Sequence, residues 1–217
     1  MIFSPSNLGS YRDCPRRFQG QSITKEIKWK ASAQKSRGME VHEAIEEYIR
    51  TRDEKFIPQD VNRDYVRQRV ASIPEDATVL IEHEMAVDKK MQPAGWWDGY
   101  LRAKADLIVI PKSANYLNIF DIKSGRKWDS DAFQLRIEAI IALSVFKRPV
   151  VNYAFWYVDG GESVEGTVDF TKGLWQVQDI ITLIKNADMS LKNNYFPPKK
   201  NKFCKWCSFF ETEKCGL

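Results

Sequence analysis

The spacing of apolar residues along the chain changes period several times, and each stretch predicts an element. Ser4-Pro5 offers a helix cap followed by a proline at the first helical position, which predicts a short helix to about Tyr11, ending near Cys14. Over 36–52 the residues Val41, Ile45, Tyr48 and Ile49 recur at helical spacing, with Glu43, Glu46, Glu47 and Arg50 opposite them. His42 lies in the early turns of this amphipathic helix. A more polar helix is expected over 60–72, stopped by Pro74. The period then falls to two. Residues 78–87 read as a strand with Val79, Ile81, His83 and Met85 on one face and Leu80, Glu82 and Glu84 on the other. Two more strands are predicted over 97–110 and 116–123, with a turn at 111–115, and short links of this kind favour an antiparallel meander.

Ser130 or Asp131 can cap the next helix, which carries Phe133, Ile137, Ile140, Ile141 and Val145 and ends before Pro149. Strands over 150–158 and 163–170 flank Asp159-Gly160-Gly161, a hairpin signature. A last long helix is expected over 172–192. Helix, strands, helix, strands, helix in this order predicts an α/β fold: a mixed central sheet flanked by helices.

Composition narrows the class. In 217 residues, 43% hydrophobic and 29% charged content is ordinary globular usage, so disordered, collagen-like and coiled-coil classes are set aside. The longest apolar stretch, 139–146, falls far short of the roughly 20 residues of a membrane helix, and the first residues lack a secretory pattern. No membrane partner is expected, and the cytoplasm is the expected location. There, Cys14, Cys204, Cys207 and Cys215 read as metal ligands or free thiols rather than disulfides. A net charge of +4 permits a nucleic-acid partner without requiring one.

The chemistry concentrates in Phe120-Asp121-Ile122-Lys123-Ser124-Gly125. On a strand, Asp121 and Lys123 project to one face while Ile122 points into the core. A solvated ion pair at a strand end has the same pattern. Asp106 changes the weighting, because it heads the apolar run Leu107-Ile108-Val109-Ile110 on the preceding strand and needs a partner there. Two carboxylates on neighbouring strands form a hard oxygen site suited to Mg2+ or Mn2+, with Lys123 placed to orient an attacking water or to neutralise charge on a phosphate.

These residues resemble the core of the PD-(D/E)XK nuclease superfamily. Gly38-Met39-Glu40-Val41-His42-Glu43 resembles the glycine-to-histidine helix motif of its RecB-like exonuclease branch, and Gln134-Leu135 that branch's glutamine motif. Cys14-Pro15-Arg16-Arg17-Phe18, with Cys204, Cys207 and Cys215, resembles the iron-sulfur members, among them CRISPR-associated RecB-like and AddB-type nuclease domains. The resemblance runs from Ser4 to Cys215. It implies that His42, Asp106 and Asp121 hold the metal with the carbonyl of Ile122, that Lys123 is the catalytic lysine, and that Gln134 positions the substrate strand. Glu84 resembles the glutamate preceding the first catalytic strand, while His83 points away and reads as structural. One position departs from the pattern: an aromatic, usually tyrosine, is expected a turn after Gln134, and here that residue is Glu138.

Cys204-Lys205-Trp206-Cys207 can place two thiolates on one metal, with Cys215 folding back and Cys14 arriving from the other end. Spacing leaves Zn2+ and an iron-sulfur cluster both open. The resemblance favours a 4Fe-4S cluster. Arg126, Lys127, Lys199, Lys200 and Lys202 are expected phosphate contacts.

The chain is therefore expected to be a single nuclease domain over 1–217, in which 36–193 form the core and 1–20 with 195–217 form a cluster-bearing subdomain. The expected function is a metal-dependent DNA exonuclease acting on single-stranded or free-ended DNA in recombination, repair or CRISPR-type processing. A homo-oligomer or a recombination or CRISPR-adaptation protein are the candidate partners. The alternative is a non-catalytic DNA-end-binding or assembly subunit that keeps the fold.

Overall fold

Ser4 starts the first helix as its sequence predicts. Its hydroxyl accepts the Asn7 N–H, and Asn7 in return accepts the Ser4 N–H at 2.8 Å, so two otherwise orphaned donors are satisfied. In the computed structural model, which describes residues 1–27, 33–125, 127 and 132–216, this helix is α1 (Pro5–Asp13). The short α2 (Pro15–Phe18) follows directly after Cys14. Two further helices, α3 (Ala33–Thr51) and α4 (Arg63–Ala71), precede the first strand. The sheet comprises β1 (Thr78–Val87), β2 (Leu101–Ile110), β3 (Tyr116–Lys123), β4 (Val150–Tyr157) and β5 (Glu162–Asp169) in that spatial order. Between β3 and β4 runs α5 (Phe133–Phe146), and α6 (Gln178–Asn193) follows β5.

β1, β2 and β3 form the expected antiparallel meander, β4 returns parallel to β3 after the α5 crossover, and β5 completes a hairpin. The architecture is the α/β mixed sheet that the element order predicts. Apolar side chains of α1, α5 and α6, including Leu8, Ile137, Ile141 and Ile180, bury one side of the sheet. Val41, Ile45 and Ile49 of α3 and Val66 and Val70 of α4 bury the other. Each fully buried aliphatic of this kind contributes roughly 1.5–3 kcal/mol.

Two departures from strand regularity shape the site. Glu82 adopts φ 53°, left-handed backbone inside β1. The register across β1 and β2 continues on both sides of it, so Glu82 falls opposite Asp106. The alternation of faces, however, switches there: Val79 and Ile81 join the α3 side, whereas Met85 joins the α5 side. β2 switches at the matching place, with Ala103 and Ala105 on the α5 side and Leu107 and Val109 on the α3 side. The second departure is a parting of strands. β2 and β3 pair only from Leu107–Phe120 to Val109–Asn118, which leaves Asp106, Asp121 and Lys123 beyond the end of the ladder.

Two predicted boundaries are corrected. The strand expected from Trp97 begins at Leu101, because the chain turns at Asp98, whose N–H bonds Gly95 O at 3.1 Å, after Pro93 bridges back to Val87. The last helix, expected from 172, begins at Gln178. Gly173 at φ 95° interrupts it, and two 3-10 turns, Phe170–Lys172 and Leu174–Val177, stand in its place. The expected caps Ser130 and Asp131 lie outside the described residues. No helix among the described residues is long and apolar enough to cross a membrane.

Candidate active site

The site is assembled where β2 and β3 part. Asp106 turns its carboxylate into the gap: Oδ2 accepts the Ile122 N–H at 2.8 Å and lies 2.7 Å from His42 Nε2. His42 comes from α3, whose helical spacing puts Val41 and Ile45 in the core and leaves the imidazole facing the strands. Its other nitrogen, Nδ1, lies 2.5 Å from Glu46, one turn further along. Both ring nitrogens therefore face carboxylates, but the contact at Nδ1 is one of charge, since Glu46 Oε1 has no hydrogen-bond partner among the described residues. Burial alone would lower the His42 pKa, but the hydrogen bond and charge of Asp106, with Glu46 and Asp121 behind it, raise it.

Glu82 completes a group with His42 and Asp106 in which one ligand atom from each lies within 4.8 Å of the others. Lys104 pairs with Glu82 from the neighbouring strand. Glu84, the residue expected in this role, is exposed and opposite Lys104. The switch at Glu82 explains the difference: strict alternation puts 82 and 84 on one face, and the left-handed residue breaks that equivalence.

Asp121 and Lys123 share a face as the strand period requires, with Lys123 Nζ 2.5 Å from Asp121 Oδ2. Asp121 is 1% exposed. Burial, reinforced by the Asp106 charge and opposed by Lys123, pushes its pKa up to about 6. Burial works the other way on Lys123, yet the Asp121 charge outweighs it and raises the lysine pKa, so the ammonium is held charged. Ile122 is buried on the α3 side, as predicted.

From α5, Gln134 Nε2 donates to Asp121 Oδ1 at 2.5 Å and to Glu138 Oε1 at 3.0 Å. Glu138 is itself 1% exposed, its second oxygen has no hydrogen-bond partner among the described residues, and burial raises its pKa well above the usual carboxylate range. The segment after Lys123 is anchored too. Gly125 N–H donates to Asp159 Oδ2 at 2.7 Å, and Arg37 clamps the same carboxylate with bonds of 2.9 and 3.1 Å while also holding Asp60. A Cβ at Gly38 would lie 3.4 Å from Ser124 Oγ, so α3 passes close over the strand end at this residue.

Sequence reasoning did not single out Glu46, Glu82, Lys104 or Arg37 as site residues. Glu46 carried a usable signal, four residues after His42 on the same helix. Glu82 carried none without the backbone.

At the other end of the molecule the four cysteines are free thiols that line one small cavity, with Cys14 and Cys215 buried. Lys199 N–H points at Cys14 Sγ (3.4 Å) and Asn201 N–H at Cys204 Sγ (3.3 Å). Among the described residues no three of the sulfurs lie within 4.8 Å of one another, wider than the spacing of about 3.8 Å that Zn–S bonds of about 2.3 Å impose on a tetrahedron. Arg16 to Lys214 O, Lys199 to Arg12 O and Asn201 to Asp13 O tie the tail to the first helices. Lys199, Lys200 and Lys202 are exposed on this tail, and Lys127 is exposed near Glu162. Arg126 lies outside the described residues.

A mixed sheet whose central strands part around Asp106, Asp121 and Lys123 is the core of a nuclease fold. The chain belongs to the PD-(D/E)XK nuclease superfamily, whose family model matches residues 2–212. Membership suggests a metal-dependent nuclease with DNA as substrate. Among solved structures the chain is similar to one described as "Crystal structure of SSO0001", with 16% identity, 93% of this chain and 82% of that chain covered, and a TM-score of 0.46. No curated protein matches it.

Proposed function

We propose that this chain is a metal-dependent DNA exonuclease of the RecB-like branch. The observation that carries the reading is the convergence of His42, Asp106, Asp121 and Lys123, from three separate elements, at the open end of the sheet. One imidazole nitrogen with the oxygens of Asp106 and Glu82 is a donor set that fits Mg2+ or Mn2+, and Asp121, whose charge is felt by Asp106 and His42, with the carbonyl of Ile122 would add to it. Such an ion, when bound, supplies Lewis-acid polarisation of the scissile phosphate and a stronger nucleophile from water at neutral pH. The protein's own contribution is positional and electrostatic. Glu46 lies against His42 Nδ1 as a charge partner, with Nε2 on the side of the site, and Gln134 holds Asp121 by a hydrogen bond. Lys123, kept charged by Asp121, offers N–H donors to a phosphate oxygen where negative charge accumulates. Action on free ends is supported by the Gly38-to-Glu43 and Gln134 segments. The basic tail, with Lys199, Lys200 and Lys202, and Lys127 are proposed phosphate contacts.

The four thiols fit a 4Fe-4S cluster better than a single Zn2+, given their wide spacing and the two N–H donors aimed at them. The cluster's proposed role is structural: it would close 1–20 onto 195–217 around the core.

Linear and circular single-stranded DNA of the same sequence distinguish the modes of attack. An exonuclease degrades the linear form with Mn2+ or Mg2+ and leaves the circle intact. Cleavage of both would mark an endonuclease, and cleavage of neither, with DNA still bound, would favour the non-catalytic end-binding subunit.

A further inference from the structure

Beside the carboxylates a second cleft opens on the α5 side of the sheet, with a volume of about 410 Å3. Its walls come from distant parts of the chain. Phe3 hydrogen-bonds Tyr100 O at 2.8 Å and accepts the Arg102 N–H at 2.9 Å, which sets Ser4 and the start of α1 beside the β1–β2 connection. Arg102 contacts two indoles, its guanidinium carbon 4.4 Å from the Trp96 ring centroid and 5.2 Å from that of Trp97, and its Nη1 donates to Trp96 O at 3.1 Å. Trp97 is thereby held on a stacked support while 76% of it stays exposed. Lys104 lines both this cleft and the one containing His42. Gln134, which holds Asp121, and Glu138, whose buried Oε2 lacks a partner among the described residues, lie on the cleft wall.

We infer that Arg102 and Lys104 of this cleft bind the phosphate of one unpaired nucleotide flanking the scissile phosphate, while its base stacks outside the cleft wall on Trp97, which rests against the lining residue Arg102. The inference rests on the nuclease reading above. The two features ask for different parts of one ligand. A flat exposed ring on a rigid guanidinium support suits a base. Two cations side by side suit a phosphodiester. A stacked base must be free of its complement, so the site selects single-stranded over blunt duplex DNA.

The test is fluorescence anisotropy with a labelled single-stranded 12-mer and a blunt duplex, without divalent cations, on the full chain. Trp97→Ala should weaken single-strand binding about 5- to 150-fold, the range expected for one lost base stack, and leave duplex binding and the thermal midpoint unchanged. Trp97→Phe should recover most of the affinity, and Arg102→Ala should lose it. Single-strand affinity within twofold of wild type in Trp97→Ala, or no single-strand binding by wild type, would overturn the inference. If cleavage fails with metal while the Trp97 effect persists, the nuclease reading falls and the nucleotide site stands. Cleavage without a Trp97 effect removes the site alone.

Discussion

Asp106 and Ile122 are joined by a hydrogen bond of 2.8 Å from the Ile122 N–H to Asp106 Oδ2, at the point where their two strands cease to pair. A side chain thus replaces a rung of the ladder. The bond satisfies a backbone donor that the parting strands would otherwise leave bare, and it fixes the Asp106 carboxylate within 2.7 Å of His42. The gap between the strands and the carboxylate that faces it have one structural cause.

Glu46 lies 2.5 Å from His42 Nδ1, and on the proposed function its removal should be felt at a metal held through Nε2. Glu46→Gln is expected to weaken Mn2+ binding about 10- to 100-fold, the range for a partner that fixes a metal-ligating histidine, with little change in the folded structure. Isothermal titration of Mn2+ into wild type and variant reads this directly. Equal affinities would show that the contact with Glu46 does not matter to the ligand.

Part of this candidate site is legible in the sequence because the strand period holds along β3, where Asp121 and Lys123 sit. Asp121 and Lys123, two apart on a regular strand, had to share a face, and Ile122 had to oppose them. Cap chemistry placed the start of α1 at Pro5. What failed did so for local reasons. The φ of 53° at Glu82 overrides alternation, so Glu82 enters the cluster in place of Glu84. Trp97, an aromatic next to a β-rich run, read as strand but stands in a turn, held by the stacking of Arg102. Gly173 delays α6 within a segment whose apolar spacing is helical.

Glu138 replaces the aromatic expected there with a buried acid, and this makes a statement about pH. Burial raises its pKa, so between the ordinary carboxylate value and the folded value the native state holds a proton that the unfolded chain has lost. Its contribution to stability therefore falls as pH rises through that window. Glu138→Gln removes the effect: the thermal midpoint of the metal-free variant should exceed wild type by at least about 2 °C at pH 8, and the gain should shrink at pH 5. Calorimetry at the two pH values checks it. A gain that grows on acidification would contradict the assignment.

The cysteines yield a chemical and a thermal readout. Anaerobically purified protein should contain four irons and matching acid-labile sulfide per chain, and Cys207→Ser should lose them together with several degrees of thermal midpoint, as the two termini come apart. One zinc per chain and no sulfide would assign the site to a single ion instead.

The central claim is tested most directly by cleavage of end-labelled single- and double-stranded DNA with Mn2+ or Mg2+, comparing wild type with Asp121→Ala and Lys123→Ala. The account predicts metal-dependent degradation by wild type, reduced at least about 100-fold by either substitution. Undiminished cleavage in both variants, or none by metal-loaded wild type that still binds DNA, would contradict it.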